Sequence, residues 1–153
     1  MQGSNSMKRI LMVALLWAAS SAWAAGTPGI RVTEAWSRAT PAVAPVAGGF
    51  MTLVNEGDRE ERLLSVESGI AQRVEIHEMR HENGVMRMRQ LADGLAVPAG
   101  GKVVLKPGGY HLMFIKPVRA LVEGERFDAT LVFQRAGKVK VVFEVRAMGA
   151  GGH

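Results

Sequence analysis

The 153-residue chain is long enough for one domain with a buried core, and its 48% hydrophobic against 22% charged composition excludes a disordered, tail-like protein. Its formal net charge of +5 falls to +3 if Lys8 and Arg9 leave with the leader described next, and the remaining basic residues alternate with acids, as from Glu56 to Arg62. The five Phe, three Trp and one Tyr are not interleaved with Arg or Lys, so no nucleic-acid face is expected.

Residues 1–24 read as a secretory signal: basic Lys8 and Arg9, an apolar run from Ile10 to Ala19, and small residues ending Ala22-Trp23-Ala24, with extra residues before Met7. The apolar run is shorter than the roughly 20 residues of a membrane span, so the mature chain is expected not to cross a membrane. The sequence has no Cys, hence no disulfide and no thiol for a lipid anchor, and a periplasmic location is expected.

From Ile30 the chain is a succession of short β-type runs: Ile30 to Ser37, Gly49 to Asn55, Arg62 to Glu67, Arg73 to His81, Val85 to Leu91, Gly101 to Leu105, Tyr110 to Ile115, Arg126 to Gln134 and Val139 to Arg146. Turn residues separate nearly all of them, as at Asn83-Gly84, Asp93-Gly94 and Pro107-Gly108-Gly109, and Ala39 to Ala47 reads as a loop. This spacing predicts an all-β sandwich of two packed antiparallel sheets over residues 25–147, followed by a short flexible tail, 148–153. Trp36 and Met51 read as core residues.

Six Met and four His lie beyond the leader, and most fall in pairs two residues apart: His77 and Met79, Met86 and Met88, His111 and Met113. Residues two apart on a strand share a face. A type I′ turn centred on Asn83-Gly84 would set His81 opposite Met86 and Met79 opposite Met88, so that His77, Met79, His81, Met86 and Met88 share one face of a hairpin. Glu78, Arg80, Arg87 and Arg89 would then form the opposite, solvated face. Methionine on a half-buried strand is ordinarily core filler. Leu or Val would serve as well there, however, and a core face does not normally seat two histidines among its thioethers.

Thioether sulfur binds Cu(I) well and Zn(II), Mg(II) or Ca(II) poorly, and imidazole suits copper, so the donor set selects Cu(I). Without a Cys thiolate a blue-copper centre is excluded. Neutral ligands exchanged one at a time suit holding and passing on a metal. No GxSxG, Cys nucleophile or isolated carboxylate pair points to catalysis, and the chain is expected not to be an enzyme. A metal-free periplasmic β-sandwich binding module and a Zn(II) store are the competing readings.

The stretches VEIHEM, GVMRMRQL and VPAGGKVVLKPGGYHLM, with AWSRATPAVAPVAGGFMTLVNEG upstream, resemble the periplasmic copper chaperones of the PCuAC family. The resemblance implies a cupredoxin-like Greek-key β-sandwich that binds Cu(I) through a His, Met, His, Met set. By position these are His77, Met88 after ten intervening residues, and His111 and Met113 after a further 22. It also implies delivery of copper to the dinuclear centre of cytochrome c oxidase; the acceptor is expected to be subunit II or another periplasmic copper chaperone, the chain is expected to be a monomer, and buffering or storage is the alternative. Met86, Met79, His81, Met148 and His153 are secondary candidates. Family members with a His- and Met-rich C-terminal extension carry a second site, but here that extension is reduced to Met148 and His153.

Overall fold

The computed structural model describes residues 29–151, so the predicted leader and His153 lie outside the described residues. Ten strands follow in order: β1 (Ile30–Arg38), β2 (Val46–Asn55), β3 (Glu61–Glu67), β4 (Ala71–Glu82), β5 (Val85–Gln90), β6 (Leu95–Val97), β7 (Lys102–Leu105), β8 (His111–Pro117), β9 (Arg126–Phe133) and β10 (Gly137–Arg146). No helix among the described residues is long and apolar enough to cross a membrane.

The all-β sandwich is borne out, with one refinement of its connectivity. Hydrogen bonding runs unbroken through β5-β4-β8-β2-β1-β10-β9-β3-β6, with β7 also on β2. The two halves are joined by β1, which pairs antiparallel with β2 and, over Trp36–Arg38, parallel with Glu144–Arg146 of β10. A register shift between Thr33 and Trp36, with Glu34 at φ 52°, bends β1 so that its end can serve both neighbours. The parallel pair was not foreseen, because nothing local in the sequence distinguishes it.

The core lies between the halves. Phe114 of β8 meets Phe127 of β9 and Phe143 of β10 edge-on, with centroids 5.3 and 5.5 Å apart, and Leu53, Leu63, Leu112 and Leu131 are fully buried around them. Met51 is 1% exposed and belongs to this cluster, as expected. Trp36 is buried too, but outside it. The indole packs on Phe50, centroids 4.5 Å apart, beneath the Arg146 guanidinium at 5.1 Å. Trp36 pairs with Glu144 and with Phe50, which places it on the outward face of the sheet.

The loop before β2 is shorter than expected, and one strand is new. Val46 and Ala47, expected in the loop, pair with Ile115 and Phe114 and begin β2. The unforeseen β6 is three residues long, too short to show alternation, yet its Leu95 and Val97 are buried against β3. After β10, Arg38 Nε donates to the Ala150 carbonyl at 3.0 Å, so the Gly-rich segment is tied down as far as Ala150.

Candidate metal centre

The Asn83-Gly84 turn has φ of 50° and 79°, the two positive values of a type I′ turn. It fixes the predicted register: Glu82 opposite Val85, His81 opposite Met86, Arg80 opposite Arg87, Met79 opposite Met88, and Glu78 opposite Arg89. On the other side of β4, Glu75 pairs with Met113 and His77 with His111. Directly paired residues point the same way, so His77, Met79, His81, Met86, Met88, His111 and Met113 share one face. The opposite face of β4 and β8 carries Ile76, Leu112 and Phe114, which are core. The sulfur and imidazole donors therefore sit on the outside of the sandwich.

Met79, Met88, His111 and Met113 line one open depression of ≈ 260 Å³, walled by Arg38 and Phe50. Gly48, paired with Met113, adds no side chain to its floor. His77 lies beside the depression, its ring 5.7 Å from that of His111 with 29° between the planes. Of the secondary candidates, Met79 enters the depression, His81 and Met86 stand one rung further out, and Met148 is 65% exposed and does not line it. A larger depression of ≈ 620 Å³ lies over β3, β9 and β10, but its lining contains no His or Met.

Hydrogen bonding sets which ring nitrogens are free. His77 Nε2 donates to Glu75 Oε2 at 2.8 Å, and Arg73 Nε holds the other carboxylate oxygen at 2.8 Å. That leaves His77 Nδ1 as the lone-pair nitrogen, and it is buried with no hydrogen-bond partner among the described residues. A buried polar atom left unpaired is costly, and a metal ion would satisfy it. His111 Nδ1 donates to the Gly109 carbonyl at 2.9 Å, which leaves Nε2 as its lone-pair nitrogen. Both rings are oriented by an oxygen acceptor on the far nitrogen, the arrangement usual around metal-ligating histidines.

Charge follows the same logic. Burial pushes the His111 imidazole below its usual range, opposed by the Gly109 hydrogen bond and aided by His77. The hydrogen bonds from His77 and Arg73 hold the Glu75 carboxyl below the usual carboxylate range. No group of three His, Cys, Asp or Glu side chains among the described residues could hold a metal without thioethers.

Sequence reasoning missed Glu75, Arg73, Gly109 and the Arg38–Phe50 wall. Glu75 was findable, since it stands two residues before His77 on the same face. The wall was not, because it depends on the β1–β10 pairing. One expectation is corrected: Glu78 is not solvated but 8% exposed, accepting from Arg89 Nε at 3.0 Å and Nη2 at 2.6 Å. Arg80 and Arg89 flank its carboxylate, and it lines a depression with Val104, Lys106 and Tyr110.

The family model described as "Putative lipoprotein LpqE-like" matches residues 30–145. The chain belongs to the LpqE-like family. A relative from Leifsonia xyli subsp. xyli, described as "Putative lipoprotein Lxx21020", is 28% identical over 118 residues, 77% of this chain and 70% of the relative. The copper-bound PCuAC domain from PmoF2 superposes with a TM-score of 0.64 at 28% identity, covering 78% of this chain and 93% of that domain. The solution structure of CuI-DR1885 from Deinococcus radiodurans gives 0.66 at 26% identity, with 89% of each chain covered. The resemblance to PCuAC proteins and the cupredoxin-like fold it implied are thus both borne out for this LpqE-like chain.

Proposed function

We propose that this LpqE-like domain is a periplasmic carrier that holds Cu(I) through His77, Met88, His111 and Met113, with Met79 beside them, and passes it to a copper-requiring acceptor. The observation that carries this reading is the pair of oriented imidazoles, each with a free ring nitrogen, on the same outward face as the thioethers of one open depression. The copper named in the titles of the PmoF2 and CuI-DR1885 structures supports it.

The donor set favours Cu(I) over Zn(II), because without its thioethers the depression lacks enough ligands for zinc. Thioether and imidazole ligands leave the ion its single charge, and Glu75, the carboxylate on this face, is taken up by His77 and Arg73 and not offered to a harder, divalent ion. The depression is open to solvent, and an acceptor's own ligands can replace these donors one bond at a time. We assign the dinuclear copper centre of cytochrome c oxidase subunit II as acceptor, with another periplasmic copper chaperone as the second choice. Residues 1–24 would direct export.

The test is anaerobic Cu(I) titration of residues 25–153 against a chromogenic chelator, with His111→Ala/Met113→Leu as control. Wild type should outcompete the control by well over tenfold, since removing two ligands costs more than the roughly 10-fold to 100-fold loss of a group that only orients one. Equal, poor competition by both would leave a metal-free binding module, and retention of Zn(II) over Cu(I) a zinc store. Copper movement to the soluble copper domain of an oxidase subunit then separates delivery from buffering.

A further inference from the structure

We propose that His81 and Met86, opposite one another on the outer rung of the β4–β5 hairpin, form a second, solvent-facing Cu(I) site through which copper enters and leaves the depression. The inference rests on the Cu(I) reading above. His81 pairs with Met86 and Met79 with Met88, so the two rungs are consecutive on the same face. Rungs two residues apart lie about 7 Å from one another along the strand. Directly opposite Cβ atoms are roughly 5 Å apart, a separation at which an imidazole nitrogen and a thioether sulfur can close on one ion. Cu(I), with a filled d shell, imposes no geometry and accepts such a low-coordinate pair of soft donors.

Neither residue has a packing role to explain it. Met86 is 48% exposed on a strand whose six residues are all exposed, and it belongs to no core cluster. His81 is exposed, and neither ring nitrogen has a hydrogen-bond or ion-pair partner among the described residues. The rung is nevertheless held in place. The type I′ turn fixes its register, and on the other face Arg87 pairs with Glu82 at 3.6 Å and Arg80 with Glu78 at 3.3 Å.

Exposure also separates the depression from the hairpin tip: His111 is buried, Met79 and Met113 are partly so, and Met88 at 51%, Met86 at 48% and His81 are all exposed. An ion leaving the depression exchanges a bond to Met79 or Met88 sulfur for one to Met86 sulfur or a His81 nitrogen. It remains Cu(I) throughout, and no proton or electron moves with it. A copper acceptor then meets the ion at an exposed hairpin tip and has no need to reach into the walled depression.

The experiment compares the mature chain with its His81→Gln/Met86→Leu variant, both exposed positions whose replacement leaves the core intact. Anaerobic Cu(I) titration of wild type should show a tight first and a weaker second equivalent, the second shifting the Met86 ε-methyl resonance. The variant should keep the first affinity, lose the second equivalent, and release its copper to bicinchoninate about tenfold more slowly or worse. A second equivalent that survives in the variant, or an unchanged release rate, overturns the proposal. So does a doubling of mass on adding the second equivalent, which would mean an ion shared between two copies. If wild type takes one equivalent only, this proposal alone fails; if it takes none, the cavity reading fails with it.

Discussion

Burial holds the His111 imidazole neutral, and the same burial makes the fold sensitive to acid at that residue. Its folded pKa lies below the unfolded value of about 6.5, so on acidification the unfolded chain takes up the proton first. The stability that a neutral His111 contributes is complete above that value and declines as pH falls from it through the folded pKa. Denaturant midpoints of the copper-free protein should therefore drop between neutral and mildly acidic pH, and His111→Gln should remove part of that drop. Copper affinity should fall in the same direction, since a protonated imidazole has no lone pair for the metal. Glu75 acts one step away, orienting the His77 ring through Nε2 while Arg73 orients the carboxylate. Glu75→Gln should lower Cu(I) affinity by about 10-fold to 100-fold, the usual effect of losing a partner that orients a ligand. The signature that separates orientation from collapse is an unchanged melting temperature with a displaced His77 ring resonance.

At the scale of the element, the hairpin is the device that brings its thioethers into register. Gly84 has φ 79° with open space around it, so an alanine there meets no clash but must adopt a left-handed backbone costing about 1–2 kcal/mol. A one-residue slip in response would turn Met86 and Met88 to the opposite face. Gly84→Ala should thus weaken Cu(I) binding although residue 84 lies outside the depression, and chelator competition alongside amide exchange of β5 would show both effects. This element was almost wholly legible in the sequence, because an Asn-Gly turn and strict alternation are local signals. The rung joining His77 to His111 was only half legible: alternation gives the face of each strand, but the β4–β8 pairing couples residues far apart along the chain. The outward Trp36 eluded the sequence for the same reason, since it is covered by chain that arrives from elsewhere. The three-residue β6 escaped for want of length.

For the molecule as a whole, the sheet separates two jobs. Its inner face holds the sandwich together through Phe114, Phe127 and Phe143, while its outer face carries the donors. Emptying the site removes none of the core contacts, so a His77→Gln/Met88→Leu/Met113→Leu variant should fold with a melting temperature near that of copper-free wild type. Only wild type should gain stability when Cu(I) is added, by the amount its binding affinity dictates. A core substitution does the reverse: Phe114→Ala should cost about 3–5 kcal/mol.

The seam where β1 lies parallel to β10 has a consequence for the order of assembly. It joins the first strand of the domain to the last, and the Arg38–Ala150 contact beyond it closes a span of 112 residues. Closing so long a loop costs little more free energy than closing a shorter one, but pairings this distant form slowly. A chain emerging N-terminus first from the export channel holds the hairpin and the His111–Met113 strand well before β10 arrives. The soft donors are therefore in hand before the strand that holds Arg38 in place has arrived, and the wall of the depression is the last part of the binding face to be finished.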